Sequence, residues 1–319
     1  MTFKLGSLKE YFTAPLCPSA VIQVSSTYIS AIQVDAKERQ VKRHLVLDLP
    51  AGLIGPRFDR SNISQPAALA DILKNGLKGF FLSGKKVACL VPEACVKVFI
   101  LAFDFLPASE SEREKIILWR AKKQMPILPQ DVRLSYDLRT SSSSIKVLAA
   151  LARTPVVKEY EDLLAGLGLE IGVLTVPTLS LLNLLHGENQ SDALAVNIED
   201  DSLALAAVAG GEPALYRMKM FAPEPGDIPD SSLRIETIIK EIENTAHFIE
   251  DHEKRQVRSL WIRSGLRKDR RDILEALRAA LPLDVHLVEA SRAFGLAREA
   301  RGFLAPLVGQ IPNRRKDSR

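Results

Sequence analysis

Residues 20–34 read A-V-I-Q-V-S-S-T-Y-I-S-A-I-Q-V, two apolar strands joined by a polar turn, and the fold of the chain follows from what this hairpin has and lacks. Its outline is that of a hairpin that cradles a nucleotide phosphate. Such a turn needs glycine, so that backbone N–H groups can approach the anion, and an acid closing its first strand to hold the metal. Here the turn is Ser25, Ser26, Thr27 and Tyr28, and Gln23 stands where the acid would be. The shape of a nucleotide site without its chemical groups points to a protein that binds partners instead.

Working outward, residues 41–49 alternate through Val41, Leu45 and Leu47 and complete an antiparallel three-strand meander. Residues 66–81 carry Leu69, Ile72, Leu73, Leu77 and Phe80 at helical spacing, and 87–91 form a compact apolar strand. A small module follows: a strand over 95–106, a helix over 109–125 and strands over 132–138 and 145–152. Its helix opens on a Ser109-x-x-Glu112 capping pattern and closes before Pro126. The run Ser141 to Ser144 reads as a turn or linker. This β-α-β-β module reads as an insert. Helix 155–169, strand 171–176 and helix 177–186 resume the alternation, and the polar stretch 188–192 marks a domain boundary.

The second half echoes the first. Strands over 193–198, 203–208 and 215–220 repeat the meander, and Ile235, Ile238, Ile239, Ile242, Ala246 and Ile249 form one stripe of a helix over 232–253. A strand at 259–264, a helix at 271–281, a strand at 284–289 and a closing apolar helix at 302–308 complete it. The reading is an α/β chain of actin-like architecture, two ribonuclease-H-like domains with an insert in the first. The first domain takes residues 1–94 and 145–190, the insert 95–144, and the second domain 191–319.

Composition bounds the function. A chain of 319 residues, 46% hydrophobic, can build two cores, and a net charge of +4 over that length does not argue for nucleic-acid binding. Cys17, Cys89 and Cys95 have no metal-ligand spacing and suit reduced thiols, packed in or near the core. The apolar runs are strand-length and interrupted by charges such as Lys97 and Asp104, short of the roughly 20 residues a span needs. The N-terminus has no h-region or cleavage site of the secretory type. A soluble cytoplasmic protein is the expectation.

The stretch K-K-V-A-C-L-V-P-E-A-C-V-K-V-F-I-L-A-F-D-F-L-P, then S-E-R-E-K-I-I-L-W-R-A-K-K-Q-M-P and D-V-R-L-S-Y-D-L, resembles the inserted subdomain of the PilM family. These are actin-like cytoplasmic proteins of type IV pilus assembly, related in fold to the division protein FtsA. The resemblance runs over residues 19–309 and is most specific over 85–138, with Trp119, Pro126 and Tyr136 at family-like positions. It implies a non-catalytic scaffold that captures the cytoplasmic N-terminal peptide of a PilN-like inner-membrane protein. The peptide would lie in a groove between the first domain and its insert, near Leu101, Phe103, Trp119 and Tyr136. It also implies a cytoplasmic protein held peripherally at the inner membrane through its partner, with self-association possible.

The same resemblance marks the nucleotide positions as degenerate. Where the family reads D-I-G-S-S-S this chain has Gln23, Val24, Ser25, Ser26, Thr27 and Tyr28; where it reads D-I-G, Asn197, Ile198 and Glu199. An interdomain D-V-E becomes Thr175, Val176 and Pro177, and the glycine-rich adenosine loop shrinks to Ser264 and Gly265. Magnesium-phosphate needs carboxylates and close backbone approach, so no cofactor is expected and ATP would be held weakly at most. The rival reading is an ATPase or kinase of the same fold with atypical site residues.

Remaining clusters read as structural. Glu199, Asp200 and Asp201 suit a solvated β-turn better than a relocated metal site. His247 and His252, five apart, miss the i, i+4 zinc spacing. Arg263, Arg267, Lys268, Arg270 and Arg271, mixed with Asp269 and Asp272, read as a solvated loop and helix start. The tail with Arg314, Arg315, Lys316 and Arg319 is too short to anchor the chain on lipid by itself.

Overall fold

A computed structural model describes residues 17–35, 37–80, 85–140, 145–185, 192–221, 230–266 and 270–312. The Ser141 to Ser144 linker, most of the boundary at 188–192, Arg267, Lys268 and the basic tail lie outside the described residues.

The hairpin at the start forms as read. Strands β1 (Ala20–Val24) and β2 (Tyr28–Asp35) pair antiparallel, and β3 (Gln40–Asp48) adds to β2. Helix α1 (Pro66–Gly76) leads to β4 (Lys85–Leu90), which lies parallel to β1, and β8 (Leu169–Thr175) completes a sheet of order β3-β2-β1-β4-β8. Every residue of β1 is buried because the strand is central and covered on both faces. Ala20, Ile22 and Val24 pack with Leu69 and Leu73 of α1 and with Tyr160 and Leu164 of α3 (Thr154–Ala165). Val21 faces the other way, onto Leu304, Leu307 and Val308 near the end of the chain. A strand covered on both faces has no solvent side to alternate with, so its apolar run is continuous.

The second half repeats this order. Strands β9 (Asp192–Ile198), β10 (Ser202–Ala209), β11 (Glu212–Met220), β12 (Ser259–Ser264) and β13 (Asp284–Leu287) form a sheet ordered β11-β10-β9-β12-β13. The first three are antiparallel neighbours and the last two join in parallel. Helix α5 (Ser231–Glu253) lays Ile238, Ile242 and Ile249 on one face of this sheet, with Ile273 and Leu277 of α6 (Arg270–Ala280).

Two domain limits read from the sequence move. The insert comprises β5 (Val96–Phe103), α2 (Glu110–Gln124), β6 (Val132–Thr140) and β7 (Ile145–Arg153), and its sheet order is β5-β7-β6. A limit at residue 144 would cut away the central strand, so the insert runs on through Arg153. The limit failed because the serine run joins two strands of one hairpin and does not separate domains. Ser109 stands at the N-cap of α2, but its side chain makes no capping hydrogen bond.

The connecting helices are exchanged between the halves. Helix α4 (Pro177–Leu182), which follows the first sheet, sends Leu181 into a cluster with Ala195 and Ala206 of the second. Residues 191–319 are therefore not one packing unit: α7 (Arg298–Phe303) and α8 (Ala305–Val308) close the second half in sequence, yet Leu307 and Val308 pack on the first sheet. Helices α4 and α8 touch closely, with a hydrogen bond from Ser180 Oγ to the Pro306 carbonyl. A Cβ added at Gly309 would fall 2.1 Å from the Ser180 carbonyl oxygen, so only glycine permits this approach.

Candidate functional site

The polar ends of β1, β9 and β12 converge between the two sheets, at the carboxyl ends of their strands. Gln23, the last residue but one of β1, is fully buried, and its Nε2 donates to Tyr28 Oη at 2.8 Å and to Glu199 Oε1 at 3.0 Å. Tyr28 Oη in turn donates to Glu199 Oε2 at 2.8 Å. Strand alternation on β12 puts Leu260, Ile262 and Ser264 on one face and Trp261 and Arg263 on the other, so Arg263 points into the same space. Its Nη1 donates to Asn197 Oδ1 at 3.0 Å and makes a close ion pair with Glu199 Oε1. Its Nη2 donates to Tyr28 Oη at 3.0 Å and to the Phe303 carbonyl at 2.8 Å. The Phe303 ring lies 5.2 Å from the guanidinium and 4.9 Å from the Tyr28 ring.

A second carboxylate binds the halves beside this pair. Glu93 follows β4 in a short 3-10 turn, Glu93–Cys95, and is buried. Its Oε1 accepts from the Thr178 backbone N–H at 2.7 Å, from Thr178 Oγ1 at 2.6 Å and from Asn197 Nδ2 at 3.3 Å; its Oε2 accepts from the Tyr216 hydroxyl. One carboxylate thus joins the first sheet, α4, β9 and β11. The two hairpin turns also meet directly, Thr27 Oγ1 donating to Asp200 Oδ2 at 2.5 Å.

Burial and pairing compete over these charges. Burial pushes the Glu93 carboxyl up, against the hydrogen bonds from Thr178 and Tyr216. Burial likewise pushes Glu199 up, opposed by the Arg263 charge and the Tyr28 hydroxyl. Burial works against the Arg263 charge, yet Glu199 and Tyr28 outweigh it and hold the guanidinium above its ordinary range. Asp201 is raised by burial too.

What remains between the turns is a cavity bounded by Gln23, Ser25, Ser26, Glu93, Pro177, Glu199 and Asp201, with about 10 Å³ open to the centre of a water-sized sphere. That is room for one water. Gln23 Oε1 is buried there without a partner among the described residues, as one water would explain, while Ser26 lies within hydrogen-bond reach of the Asp201 carboxyl.

The sequence-read positions fall out as follows. Gln23, Ser25, Ser26, Thr27, Asn197, Glu199, Ser264 and Gly265 do come together at the facing strand ends, and Thr175 ends β8, its carbonyl accepting from the Val91 N–H at 2.9 Å. A Cβ on Gly265 would lie 2.1 Å from Glu199 Oε2 and 2.7 Å from Arg263 Nη1, so the glycine now serves the ion pair. Two structural readings are overturned. Glu199 is not on a solvated turn but buried, and Arg263 is not part of a solvated basic loop but among the most buried large side chains. Tyr28, read as a turn residue, instead opens β2 and joins the buried network, and Glu93, Tyr216 and Phe303 were missed. The available signal was an arginine at an inward position of an apolar strand, which must find a buried partner.

The four residues expected to line a groove do not share a surface. Leu101 is 1% exposed and packs under Ile117 in the insert core, with Phe103 and Tyr136 half-buried around it. Tyr136 Oη accepts from Arg113 Nε at 2.9 Å. Trp119, two residues from Ile117 on α2, is 56% exposed on the outer face. Among the described residues no group of His, Cys, Asp and Glu is arranged to hold a metal, and no helix is long and apolar enough to cross a membrane.

Comparison with solved structures places this architecture. A chain of the PilM–PilN type IV pilus biogenesis complex superposes with a TM-score of 0.76 at 17% identity, covering 93% of this chain and 98% of that one. The chain has the actin-like fold. A Bacteroides thetaiotaomicron protein with an actin-like ATPase fold matches at TM-score 0.51 and 10% identity, over 86% of this chain and 92% of its own. The ethanolamine utilization protein EutJ of Carboxydothermus hydrogenoformans matches at TM-score 0.50 and 10% identity, over 94% and 91%. No protein-family model and no curated protein matches the sequence. Within the actin-like fold, the facing hairpin turns of β1–β2 and β9–β10 are where nucleotide-binding members would be expected to hold phosphate.

Proposed function

We propose that this actin-like chain is a non-catalytic scaffold of a type IV pilus or related secretion machine. The observation that carries this reading is the Arg263–Glu199 pair. A protein guanidinium and a protein carboxylate, with Gln23, Tyr28 and Asn197, occupy the space between the two phosphate turns. The pair and its partners leave about 10 Å³ between the turns, which supports a reading in which no magnesium nucleotide is held there. The chain is then an actin-like body held closed by its own side chains.

The partner is a PilN-like inner-membrane protein, whose short cytoplasmic peptide docks on the insert and brings the scaffold to the membrane's inner face. The solved complex similar to this chain pairs PilM with PilN. On the insert, β5 lies beside β11 while β6 is an outer strand, so β6 offers backbone groups for pairing with an extended peptide. Calorimetric titration with the N-terminal peptide of a PilN-like protein encoded beside this chain tests both parts. Binding should weaken at least tenfold in Tyr136→Asp and hold in Ser26→Ala, while ATP with magnesium gives no heat and no thermal stabilisation. ATP hydrolysis abolished by substitutions in the interdomain space would overturn the scaffold reading in favour of the atypical ATPase.

A further inference from the structure

The outward face of α2 is left without a protein partner in the fold, and its chemistry is specific. From Lys115 to Gln130 the chain carries Lys115, Arg120, Lys122 and Lys123 without an acid, and Glu112, one turn ahead of Lys115 on the same side, leaves the patch net positive. Of the five large apolar side chains that stand exposed among the described residues, Phe105, Trp119 and Ile127 belong to the insert while Val173 and Leu233 lie elsewhere, and Ile127, just past the end of α2, is the most exposed at 89%. Helical spacing puts Lys115, Trp119, Lys122 and Lys123 on the side opposite the buried Ile117 and Ala121. The Lys123 ammonium sits 3.7 Å from the centre of the Trp119 ring.

We propose that this end of the insert is a contact surface for an anionic lipid bilayer. Its charge complements a leaflet of acidic headgroups, each basic residue near such a surface contributing about fivefold in partitioning. Trp119 presents an apolar body and a polar N–H suited to the headgroup level, and Ile127 supplies an apolar tip that can enter the acyl boundary. The high exposure of Ile127 among basic residues favours a bilayer over a protein. Ile127 projects from a turn and does not line a groove, and a projecting apolar tip finds its burial in a soft surface. Charge and apolar insertion act together here, and binding strength scales with buried apolar area plus attraction to anionic lipid. The surface would orient the scaffold on the membrane independently of any peptide bound elsewhere on the insert.

Co-sedimentation of the full chain with phosphatidylcholine vesicles, and with the same vesicles containing phosphatidylglycerol, tests this at low and high salt. Binding should occur on the anionic vesicles alone and fall as salt screens the charges. Lys122→Glu/Lys123→Glu and, separately, Ile127→Asp should each lower it at least tenfold with unchanged circular dichroism. Tryptophan emission should shift to the blue on binding, and the shift should vanish in Trp119→Phe while sedimentation persists, because Trp261 is the only other tryptophan. Equal binding to neutral vesicles, no binding at low salt, or full binding in both patch variants would overturn the proposal. So would a Trp119 shift with an acidic peptide partner and none with vesicles.

Discussion

Replacing Arg263 by methionine leaves Glu199 as a buried carboxylate with two hydrogen-bond donors, Tyr28 and Gln23, and no cation. Glu199 is 6% exposed, so water cannot make up the loss. Breaking a buried pair by removing one partner costs about 3–5 kcal/mol, because the remaining charge is stranded. The loss of the Nη2 bond to the Phe303 carbonyl adds to this, since that bond ties β12 to α7. For a chain of this size, a melting point lowered by roughly 4–8 °C follows. Differential scanning calorimetry and urea denaturation would measure it, within a double-mutant cycle against Glu199→Gln. The cycle isolates charge from shape: glutamine keeps an amide in place for Tyr28 and Gln23 but needs no cation, so Arg263→Met/Glu199→Gln should recover at least half of the loss. A cost for Arg263→Met below about 1 kcal/mol, the level of an exposed pair, would refute the reasoning. So would a double variant no more stable than the single one.

Within the insert, Ile117→Ala should cost about 2–5 kcal/mol because the side chain is wholly buried, while Trp119→Ala should be close to neutral; thermal melts of the two variants compare them directly. Thiol titration of the native protein should find Cys17 alone reacting, slowly because burial raises its thiol. Cys89, pushed up to about 12 by burial, and the buried Cys95 should react only after unfolding. Burial raises the folded-state value of Glu93 above that of the unfolded chain, so its contribution to stability is fully present below the ordinary glutamate range, roughly 4.3, and is lost as pH rises through the folded value. Stability measured by urea denaturation across that window should fall with a steeper slope in the parent chain than in Glu93→Gln.

Much of the architecture was legible along the chain because it rests on local periodicity. The two apolar runs of residues 20–34 around a polar turn, with the alternating strand 41–49, and their echo at 193–220 gave both meanders, and the stripe from Ile235 to Ile249 gave the long helix that covers the second sheet. The insert limit was misplaced because a serine run within a domain and an interdomain linker have the same composition. Only the pairing of β7 between β5 and β6 tells them apart.

The sequence by itself determined which groups are missing from the interdomain turns: no acid at Gln23 or Asn197, and no glycine among Ser25, Ser26 and Thr27. Only the tertiary structure decided what stands in their place. Glu93, Glu199 and Arg263 lie far apart in sequence, and each looked solvated or unremarkable among its own neighbours. Their meaning comes from the exchange of α4 and α8 between the two sheets, which brings the facing strand ends together and leaves room for about one water. In that space an arginine and a glutamate must find each other, since a buried charge left alone costs more than the fold can offset. Charge pairing over such separations leaves no periodic signal in a single sequence; it is fixed by which strand ends the packing brings face to face.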